Sequence, residues 1–250
     1  MELYNTNRLH DTAIQHYQLI FRQNGFVRLP NVLTPECADH VRYQLLQKCI
    51  PHEKDGYYQV PTDAHEQLMP ILAPRIHQLI PGLLTGSKHQ YKYSLFEINW
   101  KITDPGVGFV WHKDREHEGI TGRQYQYPSC VHVAFFLENM GIDGGVTEFI
   151  SGSHWHPDRG PSDKSYLCRP EISSTDALLF DQRTWHQTGN RVKPSLRSMG
   201  IFGIQKVQLF GDTIAQEMPT ALRDRWRSET DKELQIFLGG HWSPESVFRK

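Results

Sequence analysis

From Tyr91 to Lys206 the chain is cut into short runs, and this punctuation constrains the fold more than any other feature of the sequence. The runs "YKYSLFEINWKI", "GVGFVWHKD", "CVHVAFFLEN", "GVTEFISGSH", "ALLFDQRTWHQT" and "SLRSMGIFGIQK" each hold a few apolar or alternating residues, and Gly, Pro and Asp separate them. Strands of this length and spacing suggest a mainly β architecture, an antiparallel sandwich or barrel. Upstream the texture is helical. In "DTAIQHYQLIFRQNG" the residues Ile14, Tyr17, Ile20 and Phe21 recur at three- and four-residue steps until Gly25 ends the pattern. "FVRLPNVL" reads as a short strand, and Thr34, Pro35 and Glu36 supply an N-cap, a first-turn proline and an early acid for a helix through about Lys48. After Gly211, "TALRDRWRSETDKELQIFLGG" again has an amphipathic helical texture.

The 250 residues show no composition break, internal repeat or low-complexity linker. One domain over residues 1–250 is therefore expected, with a helical opening module (1–50), a β core (90–207) and a helical tail (212–250) that buttresses the core or dimerises. The 27 Lys and Arg against 28 Asp and Glu leave no strong field for nucleic acid or an anionic membrane, so a small-molecule partner is expected, bound by a monomer or homodimer. Cys37, Cys49, Cys130 and Cys168 are scattered, which reads as reduced and cytoplasmic. The first thirty residues are polar throughout and no window approaches the roughly 20 apolar residues of a membrane span, so neither secretion nor insertion is expected.

Within "WHKDREHEG", His112 and Asp114 are two residues apart, and on an extended chain they project from one face. In a chain with 14 histidines such a pair arises by chance, so alone it is a weak sign of a metal site and reads more readily as a charged surface turn. Further weight comes from "ALLFDQRTWHQTGNRVKPSLRSMGIFGIQ", where an apolar strand delivers His186 to its end, a Gly-Asn turn reverses the chain and a second strand carries Arg197. Period-two counting sets Arg197 with Met199, Ile201 and Gly203, and Leu196, Phe202 and Ile204 on the other face, so both faces read as buried. A buried guanidinium needs an anionic partner, and none stands beside it in sequence. Two histidines and one carboxylate leave positions of an iron(II) ion open, as in non-haem oxygenases, for a bidentate 2-oxo acid and then dioxygen. The far carboxylate of 2-oxoglutarate would meet Arg197 in a two-pronged contact. Arg191 is the rival anchor, but it lies in the Gly-Asn turn and is expected to be exposed.

Several ordered blocks resemble the phytanoyl-CoA dioxygenase (PhyH) family of iron(II)- and 2-oxoglutarate-dependent oxygenases, over most of the chain through about Lys206. "FRQNGFVRLPNVLTPECADHVRYQLLQ" resembles the family's N-terminal stretch, and "WKITDPGVGFVWHKD" its lysine, Pro-Gly turn and W-H-x-D segment. "VHVAFFLENMGIDGGVTEFISGSH" resembles its strand, Gly-rich hairpin and P-G-S-H block, with Ile150 and Ser151 in place of a small apolar residue and proline. "FDQRTWHQTGNRVKPSLR" resembles its distal His, Asn and Arg block. The resemblance implies a double-stranded β-helix (jelly-roll, cupin-like) core flanked by N- and C-terminal helices. It also implies His112, Asp114 and His186 as iron ligands, Arg197 as the 2-oxoglutarate anchor and Lys101 beside the co-substrate. Ala134 stands where the family often has a bulky side chain.

The implied reaction is hydroxylation of an unactivated C–H bond of a small metabolite, with 2-oxoglutarate and O2 giving succinate and CO2. Desaturation, epoxidation or rearrangement in natural-product biosynthesis stays open, whereas the intact carboxylate of Asp114 argues against halogenation. A cupin-like metal hydrolase or isomerase would use the same ligands without a buried arginine, and a non-catalytic binding module on this fold could lose ligands freely, whereas all three are present. Arg115, His117, Asn99 and His132 are the candidates for touching substrate, although a charged loop such as 115–118 is more often a solvated surface. His154 and His156 sit at a strand end and are expected to cap a turn. Trp100, Trp111, Trp155 and Trp185 are expected in the core. "SVFRK" does not read as a peroxisomal signal, which disfavours a branched acyl-CoA substrate.

Overall fold

The computed structural model describes residues 4–60, 70–85, 93–114, 127–141 and 143–206. In chain order the elements are α1 (Asp11–Asn24), β1 (Phe26–Leu29), α2 (Pro35–Lys48), β2 (Ile50–Pro51), β3 (Tyr57–Gln59), α3 (Pro74–Thr85), β4 (Tyr93–Thr103), β5 (Cys130–Phe136), β6 (Thr147–Ile150), β7 (Leu167–Cys168), β8 (Ala177–Asp181), β9 (His186–Thr188) and β10 (Arg197–Lys206). The expected tail, 212–250, lies outside the described residues.

The opening module forms for the reasons its sequence carries. Gly25 ends α1 with φ 83°, its N–H donating to Phe21 O. The Thr34 hydroxyl accepts from Cys37 N at 3.2 Å at the head of α2, with Pro35 at the first turn. β1 is no free-standing strand: it pairs with β8 at one edge of a seven-stranded sheet ordered β1-β8-β5-β10-β4-β3-β2. A three-stranded sheet ordered β7-β6-β9 faces it, and the strand pairs are antiparallel. This is the jelly-roll arrangement.

Alternation along β5 divides the interior in two. Val131, Val133 and Phe135 join a core shared with Phe21, Leu45, Ile76 and Ile80 of the three helices, so the helices cover the outer face of the large sheet. Ala134 and Phe136 face the other way, into a second core with Phe149, Phe180, Met199 and Ile201 between the sheets. The helix α3 was not evident in the sequence, because its proline, Pro81, sits inside the helix and disguises the pattern.

Two expected strands are corrected. "GVGFVWHKD" runs as irregular chain beside β9, bridged to it at His112 and hydrogen-bonded through Phe109 to Thr188, because Pro105, Gly106 and Gly108 interrupt a regular ladder; Gly108 packs directly on Thr188. "ALLFDQRTWHQT" is two strands in different sheets, since the chain turns over residues 182–185. Of the four tryptophans only Trp100 is buried, edge-on to Phe202 at 5.6 Å, while Trp111, Trp155 and Trp185 are half-buried at the rim.

Candidate metal centre

The site is built where β8 leaves the large sheet and β9 starts the small one. The turn between them is held from within: Arg183 folds back on Asp181, Nε to Oδ1 at 2.9 Å and a second nitrogen to Oδ2 at 2.6 Å, with both side chains buried. The Gly25 carbonyl accepts from Asp181 N at 2.8 Å and from the Thr184 hydroxyl at 3.2 Å, so the cap of α1 braces the turn that carries His186. A side chain at Gly25 would meet Thr184 Oγ1 head-on, besides straining the left-handed backbone. His154 and Trp155 both donate to Arg22 O, at 3.0 and 2.7 Å, which is the capping role expected of the "GSH" turn; His156 is exposed.

The irregular segment before Asp114 is tied to the same turn. His112 and His186 exchange backbone hydrogen bonds of 3.0 Å in both directions, and Asp114 N donates to Gln182 O at 3.0 Å. This exchange sets the two imidazoles 4.3 Å apart, centre to centre. Each ring points its Nδ1 at a main-chain carbonyl, His112 at Val110 O (2.7 Å) and His186 at Thr184 O (2.9 Å). A carbonyl only accepts, so Nδ1 carries the proton in both and Nε2 is left as a lone-pair donor. Both Nε2 atoms lie 3.5 Å from Asp114, one from each carboxylate oxygen. One donor atom from each of His112, Asp114 and His186 falls within 4.8 Å of the others, a spacing that one small ion with bonds of about 2 Å can span.

The electrostatics suit a cation. Burial pushes the Asp114 carboxyl up, but hydrogen bonds from His112 and His132 and the charges of His186 and His132 outweigh it and hold it well below the usual carboxylate range. Burial lowers His186 to about 4, keeping it neutral as a ligand must be. His112 is raised, chiefly by its hydrogen bond to Asp114, so its Nε2 must give up a proton before it can serve as a ligand.

These groups open on a cavity of about 280 Å³, also lined by Lys101, Phe109, Ala134, Phe180, Met199 and Ile201. Lys101 lies on the same face of β4 as Glu97 and Asn99; burial lowers its pKa against the pull of Glu97 and Asp114. Asn99 is exposed. Arg197 lies one row behind, opposite Thr103, with 2% exposure. Its nearest acceptor is the Met199 sulfur at 3.4 Å, its Nε finds no partner, and among the described residues no carboxylate stands within ion-pair distance. Arg191, expected on the surface, is instead buried. It pairs with Glu138 at 3.0 Å and donates to Gly144 O, Ser195 O and Leu196 O, because the Gly-Asn turn folds inward against the 138–144 hairpin. Its partners are already present, so it is a structural clasp. His132, taken in the sequence as a substrate contact, lies against Asp114 and Glu97. Arg115 and His117 lie outside the described residues. Glu97 and Gln182 escaped sequence reasoning, although Glu97 and Lys101 four apart in an apolar strand was a readable sign of a polar inner face.

Comparison with known proteins gives one family match and a set of structural likenesses. The profile of the family described as Phytanoyl-CoA dioxygenase (PhyH) matches residues 61–199. No curated protein matches the sequence. Among solved structures, the non-heme alpha ketoglutarate dependent epimerase SnoN from nogalamycin biosynthesis is 16% identical, with TM-score 0.63 over 78% of this chain and 84% of that one. HygX from Streptomyces hygroscopicus, solved with nickel, 2-oxoglutarate and hygromycin B bound, is 15% identical, with TM-score 0.64 over 78% and 88%. The non-heme monooxygenase ThoJ in its nickel complex is 16% identical, with TM-score 0.61 over 77% and 78%. At these identities the likeness establishes a shared fold. No helix among the described residues is long and apolar enough to cross a membrane.

Proposed function

The chain belongs to the phytanoyl-CoA dioxygenase (PhyH) family and is a non-haem iron- and 2-oxoglutarate-dependent enzyme; we propose that His112, Asp114 and His186 hold its iron, that Arg197 anchors 2-oxoglutarate, and that it hydroxylates an unactivated C–H bond of a small metabolite. The observation that carries the reading is the pairing of a two-histidine, one-carboxylate cluster with a buried guanidinium that, among the described residues, has no carboxylate within ion-pair distance. A hydrolase on the same three ligands would have no use for that charge, whereas a dicarboxylate co-substrate answers it.

Bound ferrous iron supplies the chemistry that no side chain here possesses, oxidation of a C–H bond by dioxygen coupled to decarboxylation of 2-oxoglutarate to succinate and CO2. The chain's own residues do the rest. His112 and His186 present Nε2 because their Nδ1 protons are spent on Val110 O and Thr184 O. Arg197 grips the distal carboxylate once the Met199 thioether, a weak acceptor, yields its place beside the guanidinium. Lys101, over the Phe109 ring at 4.3 Å, adds a second positive charge on the same wall. Phe109, Phe180 and Ile201 give the cavity an apolar side that excludes water from the reacting bond. The cavity size suits a small molecule, and the scattered free cysteines fit a cytoplasmic enzyme. Epimerisation, as in the SnoN likeness, or desaturation would use the same residues with the substrate held differently.

Anaerobic titration of the protein with iron(II) and 2-oxoglutarate tests the reading. A weak visible metal-to-ligand charge-transfer band is expected, and its absence with folded protein overturns the assignment.

A further inference from the structure

We propose that His132 is a positioning residue for the Asp114 carboxylate, itself held by Glu97 across an intervening strand. The inference rests on the reading of His112, Asp114 and His186 as the iron site. Glu97 is on β4 and His132 on β5, and these strands are not neighbours: β10 runs between them, with Gly203 opposite both residues in register. Adjacent strands lie about 4.8 Å apart, so the two backbones are separated by roughly 10 Å. Side chains can meet over a middle strand only where it carries none of its own, and Gly203 provides that gap. There His132 Nε2 comes within 3.1 Å of Glu97 Oε2.

The other ring nitrogen, Nδ1, lies 3.2 Å from Asp114 Oδ2, a close polar contact bent outside hydrogen-bond geometry. The ring is 5% exposed, stands edge-on to Phe180 at 5.1 Å, and has the Gln182 amide 2.6 Å from Nε2; two donors cannot face each other there, so the amide turns its otherwise unpartnered Oε1 to the ring, which has little freedom to turn. Both ring nitrogens therefore face carboxylate oxygens, and the imidazole links them, by a hydrogen bond at Nε2 and a close polar contact at Nδ1. Asp114 is otherwise the least anchored of the three ligands. It comes from irregular chain, and its side chain keeps 28% of its exposure. A donor on Oδ2 fixes the plane of the carboxylate and occupies one of its oxygens, favouring attachment through the other, which leaves more positions for co-substrate and dioxygen. Glu97 reaches the carboxylate of Asp114 through the ring.

The test titrates metal-free, full-length protein with cobalt(II), followed by calorimetry and by the visible cobalt bands, in wild type, His132→Phe, His132→Asn and Glu97→Gln. His132→Phe is expected to weaken cobalt binding about 10- to 100-fold and to shift the bands. His132→Asn, whose side-chain amide can offer an N–H near the Nδ1 position, is expected to recover most of that affinity. Glu97→Gln is expected to weaken binding in wild type and to add no further loss in the His132→Phe background. Wild-type affinity in His132→Phe, or equal losses with Phe and Asn, overturns the proposal. If His132→Phe does not fold by circular dichroism, Glu97→Gln decides, and unchanged affinity there is the refuting result. A wild-type protein that binds no cobalt, or an Asp114→Ala variant that binds it as tightly, would instead strike the iron-site reading beneath.

Discussion

Replacing Arg197 with Met is predicted to make the metal-free protein more stable while nearly abolishing its use of 2-oxoglutarate. Burial pulls the guanidinium well below its ordinary range, to about 10. A base whose folded pKa is depressed holds its proton less tightly in the fold, so the charge destabilises the folded chain at every pH below about 10, neutral pH included. At about 1.4 kcal/mol per pH unit that penalty is roughly 3 kcal/mol. Against it stand the contacts Arg197 makes with the Met199 sulfur and, at 5.6 Å, the Phe136 ring, of the order of 1–2 kcal/mol for a desolvated pair. An unbranched apolar side chain of similar reach keeps the packing and removes the charge, so a net gain of about 1–2 kcal/mol is expected, or a rise of roughly 2–8 °C in melting temperature. Co-substrate binding should move the other way. Hydrogen bonds to a charged group contribute about 1.5–3 kcal/mol each, so losing a two-pronged contact weakens 2-oxoglutarate about a hundredfold or more. Thermal unfolding of the metal-free protein and the charge-transfer titration read the two effects separately. An Arg197→Met protein that melts lower than wild type and binds 2-oxoglutarate equally well would refute both halves of the reasoning.

Acid should destabilise the protein partly through His154, which burial lowers from 6.5 to about 4. Between those values the unfolded chain takes up a proton that the fold refuses, so stability falls as pH drops through that window, by up to about 1.4 kcal/mol per unit from this residue. Urea unfolding of wild type and His154→Gln at pH 7 and pH 5 should show a shallower loss in the variant, and parallel losses would contradict this. Asp181→Asn removes the buried carboxylate that Arg183 pairs with, which should destabilise the protein by about 3–5 kcal/mol in thermal or urea unfolding. Because the same turn carries His186, cobalt affinity in the surviving folded fraction should fall too; a variant with wild-type stability would show that the ion pair is dispensable. Ala134→Phe should fill part of the cavity and raise the KM for 2-oxoglutarate or substrate with little change in stability, and unchanged kinetics would place the ligands elsewhere.

What the sequence made legible was local. α1 and α2 announce themselves through a helical repeat with a glycine stop and through the Thr34-Pro35-Glu36 start, and β4, β5, β8 and β10 through apolar runs of strand length. What it hid was set by partners distant in the chain. Whether "GVGFVWHKD" forms a strand depends on the neighbour available to it, and only a short edge of β9 is there. The fate of Arg191 depended on the inward fold of its turn onto Glu138. His132 reads as a lone polar residue in an apolar run, and its contacts with Glu97 and Asp114 emerge only from the strand order β5-β10-β4, in which residues far apart in sequence share a row. The convergence of His112, Asp114 and His186 was suggested by residue type and family resemblance, whereas the reason they hold position, two rings fixed through Nδ1 and a turn braced by Gly25 and Asp181, required the fold.

The central claim is most directly tested by anomalous diffraction at the iron edge, on crystals grown without oxygen in the presence of iron(II) and 2-oxoglutarate. The account predicts one strong peak bounded by His112 Nε2, Asp114 and His186 Nε2, with the distal carboxylate of 2-oxoglutarate on Arg197. A peak held by other residues, or a co-substrate whose carboxylate turns away from Arg197, would contradict it.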